Sequence, residues 1–131
     1  MQHIPDICPC SPEKKFTLCC EPYLNNNAHP ATAEILMRSR YTAYVLHNTD
    51  YLLATWHPTT RPKSLELQQE IKWLGLKVIS SHEGMENDTS GTVEFVARNK
   101  LAGHAFRLHE NSRFLRENGR WYYLDGDLKE K

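Results

Sequence analysis

After Cys20 the chain contains no further cysteine, so all thiol chemistry is confined to the first twenty residues. No apolar run approaches the roughly 20 residues that a membrane-spanning helix needs. Net charge is absent too: 16 basic residues balance 16 acidic ones. Bulk attraction to nucleic acid or to an anionic membrane is therefore not expected. There is no phosphate-binding P-loop, no dinucleotide glycine pattern, no HExxH pair and no nucleophile elbow. The interleaved aromatic and basic residues of an RNA-binding surface are missing as well. No internal repeat and no low-complexity block occurs. A chain of 131 residues, 40% hydrophobic, is one globular domain's worth of sequence.

What is present is concentrated at the start. Cys8, Cys10, Cys19 and Cys20 form two close pairs separated by Ser11 to Leu18. Such clustering suits one ion that gathers thiolates, and Zn²⁺ prefers four-ligand tetrahedral sites of this chemistry. Cross-paired disulfides and free thiols are the alternatives, since four cysteines allow three pairings. Met1-Gln2-His3-Ile4-Pro5-Asp6 shows no basic start, apolar core or small-residue cleavage site. That predicts a cytoplasmic chain, in which thiols stay reduced. A site with four thiolates around Zn²⁺ carries two negative charges, which Lys14 and Lys15 in the intervening loop would offset. Backbone N–H groups of that loop are expected to donate to the sulfurs. His3 is a spare ligand that four thiolates make unnecessary.

Cys8-Pro-Cys-Ser-Pro-Glu-Lys-Lys-Phe-Thr-Leu-Cys-Cys20 resembles the SEC-C motif, the zinc-binding element also found at the tail of the SecA translocase ATPase. The cysteine spacing agrees, as do two lysines followed by an aromatic, Phe16. Ser11-Pro12-Glu13 stands where the motif usually has Gly-Ser-Gly; proline holds a turn by fixing φ. Three further blocks, Arg38 to Tyr44, Tyr51 to Pro58 and His109 to Gly126, are similar to the YchJ family. The resemblance implies a SEC-C arm over residues 1–24. It also implies a cone-shaped α+β domain over 28–131, like nuclear transport factor and cystatin-like folds. It implies no established activity.

The residues themselves give the same order of elements. Asn25-Asn26-Asn27 reads as a polar hinge. Pro30 marks a helix entry, and residues 31–47 carry a helical stripe of Met37, Tyr41, Tyr44 and Val45. Arg38 and Arg40 fall off that stripe and read as its solvated side. Asn48 or Thr49 caps a short second helix containing Tyr51 and Trp56. Ser64 is expected to cap a third helical turn running to Glu70. The period then changes to two. Trp73 to Ser81 reads as a strand with a bulge at Gly75, and His82 to Glu86 as a loop. Thr92 to Lys100, His104 to Leu115 and Arg120 to Asp125 read as strands, the last two joined at Asn118-Gly119, a strong hairpin signal. Helices followed by antiparallel strands predict an α+β fold, the helices packed on one face of a curved sheet.

Such a cone leaves a cavity between helix and sheet, and concave apolar pockets are where small ligands bind. His109, Glu110, Ser112 and Arg113 are the densest polar group in the strand region, and Trp121 on the following strand is a further pocket candidate. They read as a general base or anion clamp at the cone mouth, or as cross-strand pairs that fix the sheet. Strict alternation puts His109 and Arg113 on the opposite face from Glu110. Asp50 and His57 are an acid–base pair if both lie on one helical face; the plainer reading is a cap and a surface histidine. The expected function is a non-enzymatic adaptor that docks a macromolecular partner through its zinc arm. By analogy with the SecA tail, that partner is a chaperone or part of the translation or export machinery. The alternative is a small isomerase or hydrolase, or a small-ligand binder, using the cone cavity. A homodimer through the open sheet face is implied by the family fold.

Overall fold

In the computed structural model, which describes residues 5–129, Thr32 begins the long helix. Its hydroxyl accepts a hydrogen bond from the Ile35 amide at 3.2 Å, satisfying one of the free donors of the first turn. Glu34 sits in that turn, near the positive end of the helix dipole. This is α2 (Ala33–Val45); a one-turn α1 (Glu21–Leu24) precedes it, behind a 3₁₀ turn at Phe16–Leu18. Asn48 caps α3 (Thr49–Ala54) by accepting from the Tyr51 amide at 3.1 Å.

Four strands follow: β1 (Lys72–Glu83), β2 (Ser90–Leu101), β3 (His104–Glu117) and β4 (Arg120–Leu128). They form an antiparallel meander in sequence order. Asn118 and Gly119 both take positive φ, the conformation a two-residue hairpin demands; Ala102 and Gly103 do the same between β2 and β3. The β1–β2 register shifts between Trp73 and Gly75, so the bulge lies where it is expected. One glycine pair is required by close approach. A Cβ on Gly91 would collide with the backbone of Gly84, whose carbonyl accepts from the Ala33 amide at 2.9 Å.

Helices α2 and α3 pack on the sheet, with Leu36 of α2 and Leu52 of α3 fully buried in one cluster with Val93, Phe114 and Trp121. Among the described residues no helix is long and apolar enough to cross a membrane.

Several local expectations need correction. Residues 64–70 are not helical. Leu65 and Leu67 are half-buried while Ser64, Glu66 and Gln68 are exposed, a period of two that fits an extended strap on the core. His82 and Glu83 belong to β1 rather than to a loop. Trp56 lies beyond α3 and forms a parallel bridge with Tyr123. Arg40 is not on a solvated side: it is 5% exposed, because α2 is covered by the sheet, by α3 and by the cysteine arm together. His57 is likewise buried. Its Nε2 meets Glu117 Oε2 at 2.9 Å and its Nδ1 accepts from the Thr59 amide at 3.2 Å. Asp50 is exposed and Asn48 does the capping; His57 lies past the end of α3, so the two do not share a helical face.

Candidate metal centre and cone cavity

The arm turns back on itself at Ser11-Pro12-Glu13. The Cys8 amide donates to the Lys14 carbonyl at 2.8 Å, and the Ser11 amide to the Cys8 carbonyl at 3.1 Å. Ile7 bridges Lys15. The Cys19 amide closes the 3₁₀ turn on the Phe16 carbonyl. This fold-back brings both cysteine pairs to one point, with all four sulfurs within 4.8 Å of one another. Individual separations are 3.6 Å (Cys8–Cys10), 3.5 Å (Cys10–Cys19), 4.0 Å (Cys19–Cys20) and 3.7 Å (Cys10–Cys20). A tetrahedral ion with metal–sulfur bonds of about 2.3 Å has sulfur–sulfur edges of about 3.8 Å, so the four thiols fit a closed metal site. None of the four is in a disulfide.

In the metal-free cluster the protons are shared unequally. Hydrogen bonding with Cys10 and then with Cys20 holds the Cys8 thiol well below its ordinary range, whereas Cys20, bonded to Cys10 and Cys8 and buried, is pushed far above it. Phe16 of the intervening loop packs against the cysteines, and α2 supplies the hydroxyl that reaches the sulfurs. Thr42 Oγ1 donates to Cys20 Sγ at 3.3 Å and lies 3.7 Å from Cys8 Sγ. Arg38 Nη1 donates to the Cys10 carbonyl at 3.1 Å while its Nε pairs with Glu34 at 3.0 Å. Lys14 and Lys15 are exposed. His3 lies outside the described residues. Sequence reasoning does not single out Thr42. Its signal is a small hydroxyl amid the large side chains of the Arg38–Tyr44 block.

The arm is packed into the domain and is not a free appendage. Cys8, Cys10, Phe16 and Cys20 form one buried cluster with Tyr41 and Ala97, edged by Trp73 and Leu108. Tyr41, Ala97, Trp73 and Leu108 also line a cavity of about 200 Å³ between α2 and the sheet. The cysteine cluster therefore packs behind one wall of the cavity.

Another part of the cavity lining is polar. The Arg40 guanidinium lies over the rings of Tyr123 and Trp56, at 4.6 and 5.1 Å from their centroids. Such cation–π contacts partly replace lost hydration. Its Nη1 donates to the Leu52 carbonyl at 2.8 Å and to Thr55 Oγ1 at 2.7 Å. Burial lowers its pKa. Glu110 Oε2 accepts from Ser112 Oγ at 2.6 Å and from the Tyr123 hydroxyl at 3.2 Å. Burial, reinforced by Glu110, raises the Tyr123 pKa, so its hydroxyl keeps its proton and acts as donor.

The four pocket candidates of the sequence are thus distributed over three places. Glu110 lines the cavity. His109 and Arg113 point to the other sheet face, where His109 Nε2 meets Glu94 at 2.7 Å and Arg113 pairs with Asp125 at 2.5 Å and Asp127 at 2.8 Å. Trp121 is a core residue whose Nε1 donates to the Ala31 carbonyl at 3.1 Å. Arg40, the buried cation of the cavity, is the residue that sequence reasoning places elsewhere.

A few helices on a four-stranded antiparallel sheet, with a four-cysteine arm at one end of the cone, define the class: a nuclear-transport-factor-like domain carrying a SEC-C element. Residues 32–126 match the family described as "YchJ, middle NTF2-like domain". A UPF0225 protein of Chromobacterium violaceum is 55% identical over 123 residues, covering 91% of this chain and 90% of its own. A UPF0225 protein of Serratia proteamaculans is 44% identical over 130 residues, covering 94% and 84%. The chain belongs to the YchJ (UPF0225) family. Two solved structures share the fold. One is the solution structure of a SEC-C motif containing protein from Rhodopseudomonas palustris (TM-score 0.82, 34% identity, 95% of this chain and 99% of that one). The other is the crystal structure of a SEC-C motif containing protein from Psychrobacter arcticus (TM-score 0.78, 27% identity, 98% and 85%).

Proposed function

We propose that this chain is a non-enzymatic small-molecule-binding protein whose cysteine arm holds Zn²⁺ as a structural lid on the cone. One observation carries the reading. The cavity between α2 and the sheet is walled by a buried cation and a carboxylate, and by residues that pack on the cysteine cluster. A mostly apolar hollow with a few fixed polar groups is what ligand sites are made of. Four thiolates leave no open coordination position, which assigns the zinc a structural role. Persistence of those thiolates fits a reducing, cytoplasmic setting.

The test is a fragment screen by NMR on the full zinc-loaded chain, alongside Ala97→Leu, which fills the cavity from its floor. Hits that shift cavity resonances and are lost in Ala97→Leu are expected. A screen whose hits all persist in that variant overturns the reading. Elemental mass spectrometry is expected to give one zinc per chain.

A second reading, docking of a macromolecular partner such as a chaperone or part of the translation or export machinery, is favoured by one feature of the arm. Leu18 is 80% exposed on the 3₁₀ turn, close in sequence to the exposed Lys14 and Lys15. A large apolar side chain this exposed offers surface that a partner would gain free energy by burying. Affinity capture with Leu18→Ser against the unaltered chain checks it; identical partner lists exclude the arm as the docking element.

A further inference from the structure

The polar end of the cavity has an asymmetry that specifies its ligand. Arg40 uses Nη1 for the Leu52 carbonyl and Thr55; its Nε and Nη2 have no hydrogen-bond partner among the described residues. Glu110 uses Oε2 for Ser112 and Tyr123; its Oε1 has no partner among them. Both side chains line the cavity, and Tyr123 links them, lying under the guanidinium with its ring and donating to the carboxylate with its hydroxyl. The cavity wall therefore presents donors and an acceptor, with Tyr123 in contact with both. A ligand seated against the buried Arg40 and the half-buried Glu110 must pair with both to offset the water it displaces.

A ligand carboxylate would satisfy Arg40 while placing like charge beside Glu110. An ammonium would do the reverse. A neutral edge that accepts from one and donates to the other meets both without adding charge. The rest of the cavity is aromatic, with Tyr44, Trp73, Phe95 and Phe114 among its walls. Flat rings favour flat ligands by offset or edge-to-face stacking. A volume of about 200 Å³ falls below the ~300–1,000 Å³ usual for drug-sized ligands, which limits the occupant to one or two rings.

The geometry points to a planar heteroaromatic lactam as the ligand class: a ring whose edge carries C=O beside N–H, the carbonyl accepting from Arg40 and the N–H donating to Glu110. This rests on the reading of the cone as a small-molecule site and names what that site would take.

The experiment is ¹⁹F NMR titration of the full zinc-loaded chain with four probes of similar size: 5-fluorouracil, 1,3-dimethyl-5-fluorouracil, 4-fluorobenzoate and fluorobenzene. Binding of 5-fluorouracil is expected, weakened by about tenfold or more on N-methylation, which removes the donors, and by a similar factor in Glu110→Ala. Loss of binding in Ala97→Leu locates it in the cavity. Thermal melts show that both variants fold, and the N-methyl comparison needs no variant. Equal binding of the methylated ring, or binding that survives Ala97→Leu, overturns the proposal. Preference for 4-fluorobenzoate or fluorobenzene overturns the lactam class and leaves the small-molecule reading standing. Failure of all four probes to bind, with a fragment screen also empty, sinks both.

Discussion

The hydroxyl of Thr42 donates to the sulfur of Cys20 across 3.3 Å, tying the middle of the long helix to the cysteine cluster. Groups in this position orient metal ligands and tune their charge, and their loss commonly costs 10–100-fold in metal affinity. Thr42 is fully buried, so Thr42→Val keeps the shape and removes the donor. Zinc affinity measured by chelator competition is expected to fall about tenfold. Stability of the metal-loaded chain is expected to drop by ~1.5–3 kcal/mol, the range for a hydrogen bond to a charged group. Unchanged affinity would show that the helix merely covers the site.

Metal removal tests how far the arm belongs to the core. Cys8, Cys10 and Cys20 are each 2% exposed and share a cluster with Tyr41 and Ala97. Tyr41 stands edge-on to Trp73, with ring centroids 5.9 Å apart. Chelation is expected to lower the melting temperature of the whole domain and to change its near-ultraviolet circular dichroism, since those two rings lose their support. Thiolate ligands compete with protons, so metal affinity falls as pH falls, and metal release on acidification should precede global unfolding. An arm that unfolds without moving the main transition would mean that the cone is independent of it.

The buried His57 makes a different kind of tie. Its backbone N–H donates to the Tyr123 carbonyl at 2.7 Å, and its Nε2 reaches Glu117 at the end of β3. Nδ1 lies 2.7 Å from the Thr59 hydroxyl and accepts from the Thr59 amide at 3.2 Å. His57→Ala leaves a void and orphans the Thr59 donor, for an expected loss of about 2–4 kcal/mol in chemical denaturation. Thermal melts of His57→Gln should fall between the two proteins. A neutral effect of the alanine substitution would place the loop outside the cooperative unit.

What the sequence discloses and what it withholds divide along physical lines. The Asn118-Gly119 turn is legible because its chemistry is local: two adjacent residues must take positive φ. The cysteine cluster is legible for the same reason, its ligands lying within thirteen residues of one another. Alternation correctly separates Glu110 from His109 and Arg113, because side chains on a strand change face at every step. The burial of Arg40 is not legible. It follows from three surfaces meeting around α2 and from two rings, Trp56 and Tyr123, brought under its guanidinium from distant positions. Residues 64–70 mislead because Ser64 offers a capping side chain, while the packing of Leu65 and Leu67 on the core favours extended backbone.

Gly126 supplies the most selective substitution. It lies on β4 opposite Ser112, and a Cβ there would run into the Glu110 carboxylate. The obstruction is the end of a flexible side chain rather than backbone, so the sheet need not move. Gly126→Ala is therefore expected to fold, with a stability change within about 1–2 kcal/mol, while turning Glu110 away from Ser112 and Tyr123. The Tyr123 hydroxyl then loses its acceptor, and a shift of its ring resonances reports the event directly. Glu110→Ala in the Gly126→Ala background should return the stability lost to crowding. The two effects are coupled because the residues touch, and a double-mutant cycle measures that coupling. Additive effects would mean that the carboxylate already points away from β4, and the polar end of the cavity would have to be redrawn without it.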